Sequence, residues 1–109
     1  MKEEIDSSHI VSKNGKIYYP KFIRTEGERQ YWHVYILRCS DNKPYTGFTQ
    51  DLDDRMSRHQ RGSVPATKKR RPLDLLTYIT FTNMHHAIAY EKYLKTGSGR
   101  AVLYKRFWR

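Results

Sequence analysis

The spacing of apolar residues changes period along the chain, and each change marks an element. Trp32-His33-Val34-Tyr35-Ile36-Leu37-Arg38 is a run of β-branched and aromatic residues, which predicts a strand. Ser40-Asp41-Asn42-Lys43-Pro44 has the composition of a turn, and Tyr45 to Phe48 follows as a short antiparallel partner. Thr49 is placed to cap a helix that starts near Asp51, where Asp51, Asp53 and Asp54 favour the positive end of the helix dipole. Gly62 ends that helix. Arg61 to Pro72 reads as a basic loop, and Leu73 to Phe81 as a third strand. Asn83 caps a further helix running to about Lys95, and Gly97-Ser98-Gly99 separates it from a final short one. Strands and helices in this order, joined by short links, predict an α+β domain: a small three-stranded antiparallel sheet flanked by helices.

The first thirty residues have a different pattern. Ile10-Val11-Ser12-Lys13 and Lys16-Ile17-Tyr18-Tyr19 flank Asn14-Gly15, a dipeptide suited to a two-residue hairpin turn. Residues 1–30 therefore read as an N-terminal extension with a β-hairpin, and 31–109 as the main domain.

On the two longer predicted helices, polar groups fall on the faces that should turn inward. Leu52, Arg55, Met56 and His59 share one face of the first helix. A guanidinium beside a core needs an anion, either a structural carboxylate or a substrate phosphate. Met84, Ala87, Ile88, Glu91 and Leu94 form a stripe on the second helix, with Glu91 near its middle. An inward carboxylate needs a metal, a basic partner or a raised pKa. An Arg55–Glu91 ion pair and a site for a hard divalent cation fit these positions equally well.

Charge narrows the partners. Formal net charge is +10. Up to Gln30 the chain has six basic and five acidic residues, whereas from Tyr31 it has fifteen and six. The excess thus belongs to the main domain, which suits a polyanion. Lys68-Lys69-Arg70-Arg71 is its densest run and is expected to contact nucleic-acid phosphates, with Lys95 and Arg100 as further contacts. Gly97-Ser98-Gly99-Arg100 reads either as a phosphate-binding helix start or as a plain junction capped by Ser98. Cys39 is the only cysteine, which excludes an intramolecular disulfide and a cysteine zinc site; it is expected to pack as a small hydrophobe. The first residues lack the apolar stretch of a secretory leader and no window approaches a membrane span, so the expected location is cytoplasmic, without membrane partners.

Two tripeptides give this frame a chemistry. Val34-Tyr35-Ile36 and Tyr45-Thr46-Gly47, followed by Arg55, His59 and Glu91, resemble in order and spacing the core of the GIY-YIG nuclease family. The likeness runs from about Tyr31 to about Tyr104 and is closest to its short bacterial branch, with Arg71-Pro72-Leu73 a further shared feature. The resemblance implies a metal-dependent endonuclease acting on phosphodiester bonds, most readily in DNA. It implies that Glu91 holds Mg²⁺ or Mn²⁺ and that Tyr35 helps deprotonate the attacking water. Arg55 then stabilises the transition-state charge, and Tyr45 and His59 orient water and phosphate.

Some positions depart from the family pattern. Val34 stands for the first glycine and Thr46 for the isoleucine, and Phe48 occupies a place where some members have lysine. The family's late asparagine has no clear equivalent, Ser98 and Arg100 being the nearest candidates. Two other classes of function fit the same composition: a non-catalytic nucleic-acid-binding module, and a protein-interaction domain using exposed aromatics and the hairpin. Turnover on DNA separates the first from the enzyme, and failure to bind any nucleic acid at low salt would favour the second.

Overall fold

The computed structural model describes residues 30–108 and, before them, two short strands, β1 (Val11–Lys13) and β2 (Lys16–Tyr18). These two strands pair antiparallel with Lys13 opposite Lys16, the register of a two-residue hairpin. The Asn14-Gly15 turn itself lies outside the described residues. The chain divides into two compact units, 1–30 and 31–109. No helix among the described residues is long and apolar enough to cross a membrane.

Unit 31–109 is α+β. Its antiparallel sheet has β3 (Trp32–Arg38) in the centre, with β4 (Pro44–Thr49) and β5 (Asp74–Phe81) on either side. Five consecutive residues of β3, His33 to Leu37, are buried, so both faces of the central strand are covered. That explains why its sequence is almost continuously apolar instead of alternating. Pro44 extends β4 by one residue beyond the expected start; as a strand's first residue it needs no ladder N–H.

The two faces of the sheet have different roles. Val34 and Ile36 point into a core with Ala87, Leu94 and Leu103, ringed by Trp32, Phe48, Leu76, Phe81, Tyr90, Phe107 and Trp108. Alternation puts His33, Tyr35 and Leu37 on the opposite face. Here Tyr35 lies opposite Gly47 on β4 and Tyr78 on β5.

Helix ends show where local reading succeeds and where it slips. Helix α1 (Leu52–Gln60) is capped by Asp51, whose carboxylate accepts from the Asp54 N–H at 3.0 Å. Thr49, the expected cap, is one step removed: its hydroxyl accepts from the Asp51 N–H at 3.1 Å. Gly62 follows the helix with φ +81°, the left-handed conformation that glycine adopts without strain. Asn83 caps α2 (Met84–Tyr93) as expected, accepting from the His86 N–H at 3.0 Å. Met84, expected on the apolar stripe, is 39% exposed, and the stripe enters the core at Ala87 and Leu94.

Gly97-Ser98-Gly99 does not separate two helices; it is the first turn of α3 (Gly97–Arg106). The cap is Thr96, not Ser98, with its hydroxyl 3.1 Å from the Gly99 N–H. Gly99 is needed where it stands, since a Cβ would overlap the Tyr93 carbonyl oxygen at the end of α2. Gly97 has open space around it.

The two glycines should therefore respond oppositely to alanine. Gly99→Ala should destabilise unit 31–109 by about 1–3 kcal/mol or more, as overpacking against rigid backbone does. Gly97→Ala should be neutral or stabilising by up to about 1 kcal/mol. Urea unfolding of both variants reads the difference, and equal midpoints would mean that α3 does not close on α2 through Gly99.

Candidate active site

The buried face of β3 collects the singled-out residues. Tyr35 is fully buried, and its ring lies over Gly47: a Cβ there would be 2.5 Å from the Tyr35 hydroxyl. The glycine of the second tripeptide thus makes room for the tyrosine of the first. The Tyr35 hydroxyl is 2.9 Å from His59 Nε2 on α1. Tyr45, from β4, completes an aromatic triangle, its ring centroid 5.3 Å from His59 and 6.4 Å from Tyr35. The Arg55 guanidinium, one turn before His59, and the Glu91 carboxylate are both close enough to act on the Tyr35 hydroxyl electrostatically. Tyr45, Arg55, His59 and Glu91 thus all surround or act on the Tyr35 phenol.

Burial sets the protonation states. It pushes the Tyr35 phenol up to about 12, with Tyr45 adding to the shift, Arg55 opposing it and Glu91 reinforcing it. Burial lowers His59 to about 4, and the Arg55 charge acts in the same direction. At neutral pH the pair is a phenol and an uncharged imidazole. A hydrogen-bonded imidazole and a nearby cation both adjoin the phenol.

Glu91 and Arg55 do not form a structural ion pair. Among the described residues Arg55 has no carboxylate partner, and Glu91 bonds Lys95 at 2.8 Å, one turn along α2. The Glu91 side chain is 16% exposed and that of Lys95 52%. No cluster of three or more His, Cys, Asp or Glu residues suited to a metal exists among the described residues. A lone carboxylate fits Mg²⁺ or Mn²⁺ bound as such ions often are, by one protein oxygen with water and phosphate oxygens.

The basic run forms a 3₁₀ turn, Lys68–Arg70, and its members have different surroundings. Arg70 grips Asp41 with Nε and Nη2 at 2.8 and 3.3 Å, and its carbonyl accepts from the Ser40 N–H. Arg71 donates to the Lys68 and Gln60 carbonyls at 3.0 and 3.1 Å and lies against Gly62. Lys68 and Lys69 are exposed. Together with Gln60, Arg71, Pro72 and Leu73 they line an open cavity of about 570 Å³. Lys95 is tied to Glu91, and Arg100 is half-buried on α3. Ser98 is exposed; neither it nor Arg100 has a hydrogen bond to the Tyr35 cluster among the described residues. Cys39 is buried, as expected.

One member of the site escaped the sequence reading. Thr67 is fully buried, and its hydroxyl is 2.8 Å from His59 Nδ1. Nothing in Ser63-Val64-Pro65-Ala66-Thr67 marks it, because the contact is made by the fold of a loop and not by a repeat or a face.

The buried histidines make stability depend on pH. His33 is also held near 4 by burial, against the pull of Asp51. Unfolded, both titrate near 6.5, so between about pH 6.5 and 4 the unfolded chain binds more protons. Their contribution is complete above 6.5 and declines as pH falls towards 4, by at most about 1.4 kcal/mol per pH unit per group. Urea unfolding at pH 7, 6 and 5 should show the decline, and His59→Gln should flatten it. A flat wild-type profile would contradict neutral burial.

Comparison with known proteins identifies the family. The family model described as the GIY-YIG catalytic domain matches residues 31–105. A UPF0213 protein of Pediococcus pentosaceus is 40% identical over 65 residues, covering 59% of this chain and 68% of the relative. One from Staphylococcus epidermidis is 38% identical over 64 residues, covering 58% and 78%. The solution NMR structure of a UPF0213 protein from Bacillus halodurans aligns with TM-score 0.46 at 31% identity, covering 69% of this chain and 83% of that one. The matched segment contains both tripeptides, Arg55, His59 and Glu91, and the chain belongs to the GIY-YIG family, among its UPF0213 members.

Proposed function

We propose that this protein is a metal-dependent endonuclease that hydrolyses phosphodiester bonds in DNA. The gathering of Tyr45, Arg55, His59 and Glu91 around the Tyr35 phenol supports this reading best. A packing cluster has little use for a guanidinium without a carboxylate partner beside a phenol and an imidazole. A substrate phosphate supplies the missing anion.

In this mechanism Arg55 neutralises charge on the scissile phosphate as the attacking oxygen closes in. Tyr35 takes the proton of the attacking water, either as a phenolate or by passing its own proton to His59. Tyr45 and His59 fix the position of that water. Glu91 would hold the Mg²⁺ or Mn²⁺ ion, which when bound supplies positive charge at the phosphate and the leaving oxygen. Rate then comes mainly from positioning and electrostatics. Lys68 and Lys69, exposed at the cavity rim, are proposed to dock flanking backbone phosphates, which contribute affinity without chemistry. Arg70 and Arg71 hold that loop in place and leave fewer donors for DNA.

Glu91→Gln should bind DNA at least as well as wild type, because a negative charge leaves a phosphate site, yet cleave it far more slowly. Cleavage at the wild-type rate in Mg²⁺ would remove Glu91 from the mechanism.

Docking and chemistry should also separate. Replacing Lys68 and Lys69 together by alanine should weaken binding and flatten its salt dependence by about 0.7–0.9 log units per lost contact. The cleavage rate of pre-formed complexes should hardly change. Arg55→Ala should show the reverse, with modest loss of affinity and a large loss of single-turnover rate. Equal loss of both quantities in the two proteins would contradict the division.

A further inference from the structure

Tyr35, His59 and Thr67 form a chain of three groups whose hydrogen atoms can run in either direction. Neutral His59 carries one proton, on Nδ1 or on Nε2. With the proton on Nδ1, the ring donates to Thr67 and accepts from Tyr35, and the Thr67 hydroxyl hydrogen is left over. With the proton on Nε2, Thr67 donates to Nδ1 and His59 donates to the Tyr35 oxygen, and the Tyr35 hydrogen is left over. The surroundings of the two ends decide between them. Both hydroxyls are buried, Tyr35 and Thr67 alike at 0% exposure, but Thr67 has no second acceptor for its hydroxyl among the described residues. The Tyr35 hydroxyl, by contrast, is bordered by the half-buried Arg55 and Tyr45 and by the charge of Glu91. A leftover hydrogen is less costly beside a carboxylate charge and half-exposed neighbours than at a buried hydroxyl with no other acceptor in reach.

We infer that Thr67 is a positioning residue that holds His59 as the Nε2–H tautomer, so that His59 donates to the Tyr35 oxygen. This rests on the proposed nuclease reading for its role, though not for its geometry. A phenolate at Tyr35 would then be held by the His59 Nε2–H and by the positive charge of Arg55. Of the two routes for the water proton, the phenolate route is the one this tautomer serves. Thr67 also directly precedes Lys68 and Lys69, so the loop proposed to dock DNA is anchored by the group that sets the tautomer.

Two-bond ¹H–¹⁵N correlation of the histidine rings in the free full-length protein tests the geometry without any substrate. His59 should be neutral and protonated on Nε2 at pH 7; protonation on Nδ1 would overturn the inference. In single-turnover cleavage, Thr67→Ser keeps the hydroxyl and should stay close to the wild-type rate. Thr67→Val keeps the shape and loses the hydroxyl. It should be about 10–100-fold slower, the scale seen when a partner orienting a functional histidine is removed. The rising limb of its pH–rate profile should also move to higher pH, because the phenolate loses a well-aimed donor. A role in packing alone gives the opposite order, with valine better tolerated than serine, and would overturn the proposal. If Thr67→Val does not fold, the wild-type tautomer and the serine variant still decide. If wild-type protein cleaves no nucleic acid, the nuclease reading fails while the ring spectrum still answers for Thr67.

Discussion

The hydrogen bond between Tyr35 and His59 is the contact on which the rest of this site depends. It joins the central strand to the helix that follows the second strand, and it is made in a place with almost no water. A buried phenol and a buried imidazole each need a partner, so once one is placed the other is constrained. The bond then fixes the rotation of α1, and with it the position of Arg55 one turn earlier. Gly47 is the corresponding constraint on the strand side, because any side chain there would occupy the space of the Tyr35 ring.

Charge is distributed around this contact in an uneven way. The burial that raises Tyr35 and lowers His59 keeps both neutral, so the charged groups nearest the phenol are Arg55 and Glu91. These two do not cancel each other by pairing. Glu91 is matched by a mostly exposed lysine on its own helix, and Arg55 lacks a carboxylate among the described residues. An arrangement built for stability alone would join them, since an unpartnered guanidinium beside a core is costly. The cost is understandable where a polyanion is the missing partner.

The basic loop shows a similar division. Its first two lysines are exposed, while the two arginines fasten the loop to Asp41 and Gln60. Arginine suits that task because its planar fork reaches two acceptors at once, and lysine suits loose contact with phosphates. A run of four like charges in the sequence is thus two structural ties and two surface cations.

The sequence by itself determined the element order, the α+β class, the span of the central strand and the family. These follow from local quantities: side-chain branching, apolar period, turn residues and the fixed spacing of a motif. It also placed Arg55 and His59 on one helical face, which is geometry that a helix carries wherever it docks. Only the tertiary structure decided what those groups touch. That Thr67 holds His59, that Glu91 takes Lys95 in preference to Arg55, and that Gly99 lets α3 close on α2 are contacts between separate segments or choices among competing partners. Thr96 in place of Ser98 as the cap of α3 is likewise a choice between two neighbouring candidates. Such outcomes depend on how elements pack, and packing is a property of pairs of surfaces that no single stretch of sequence contains.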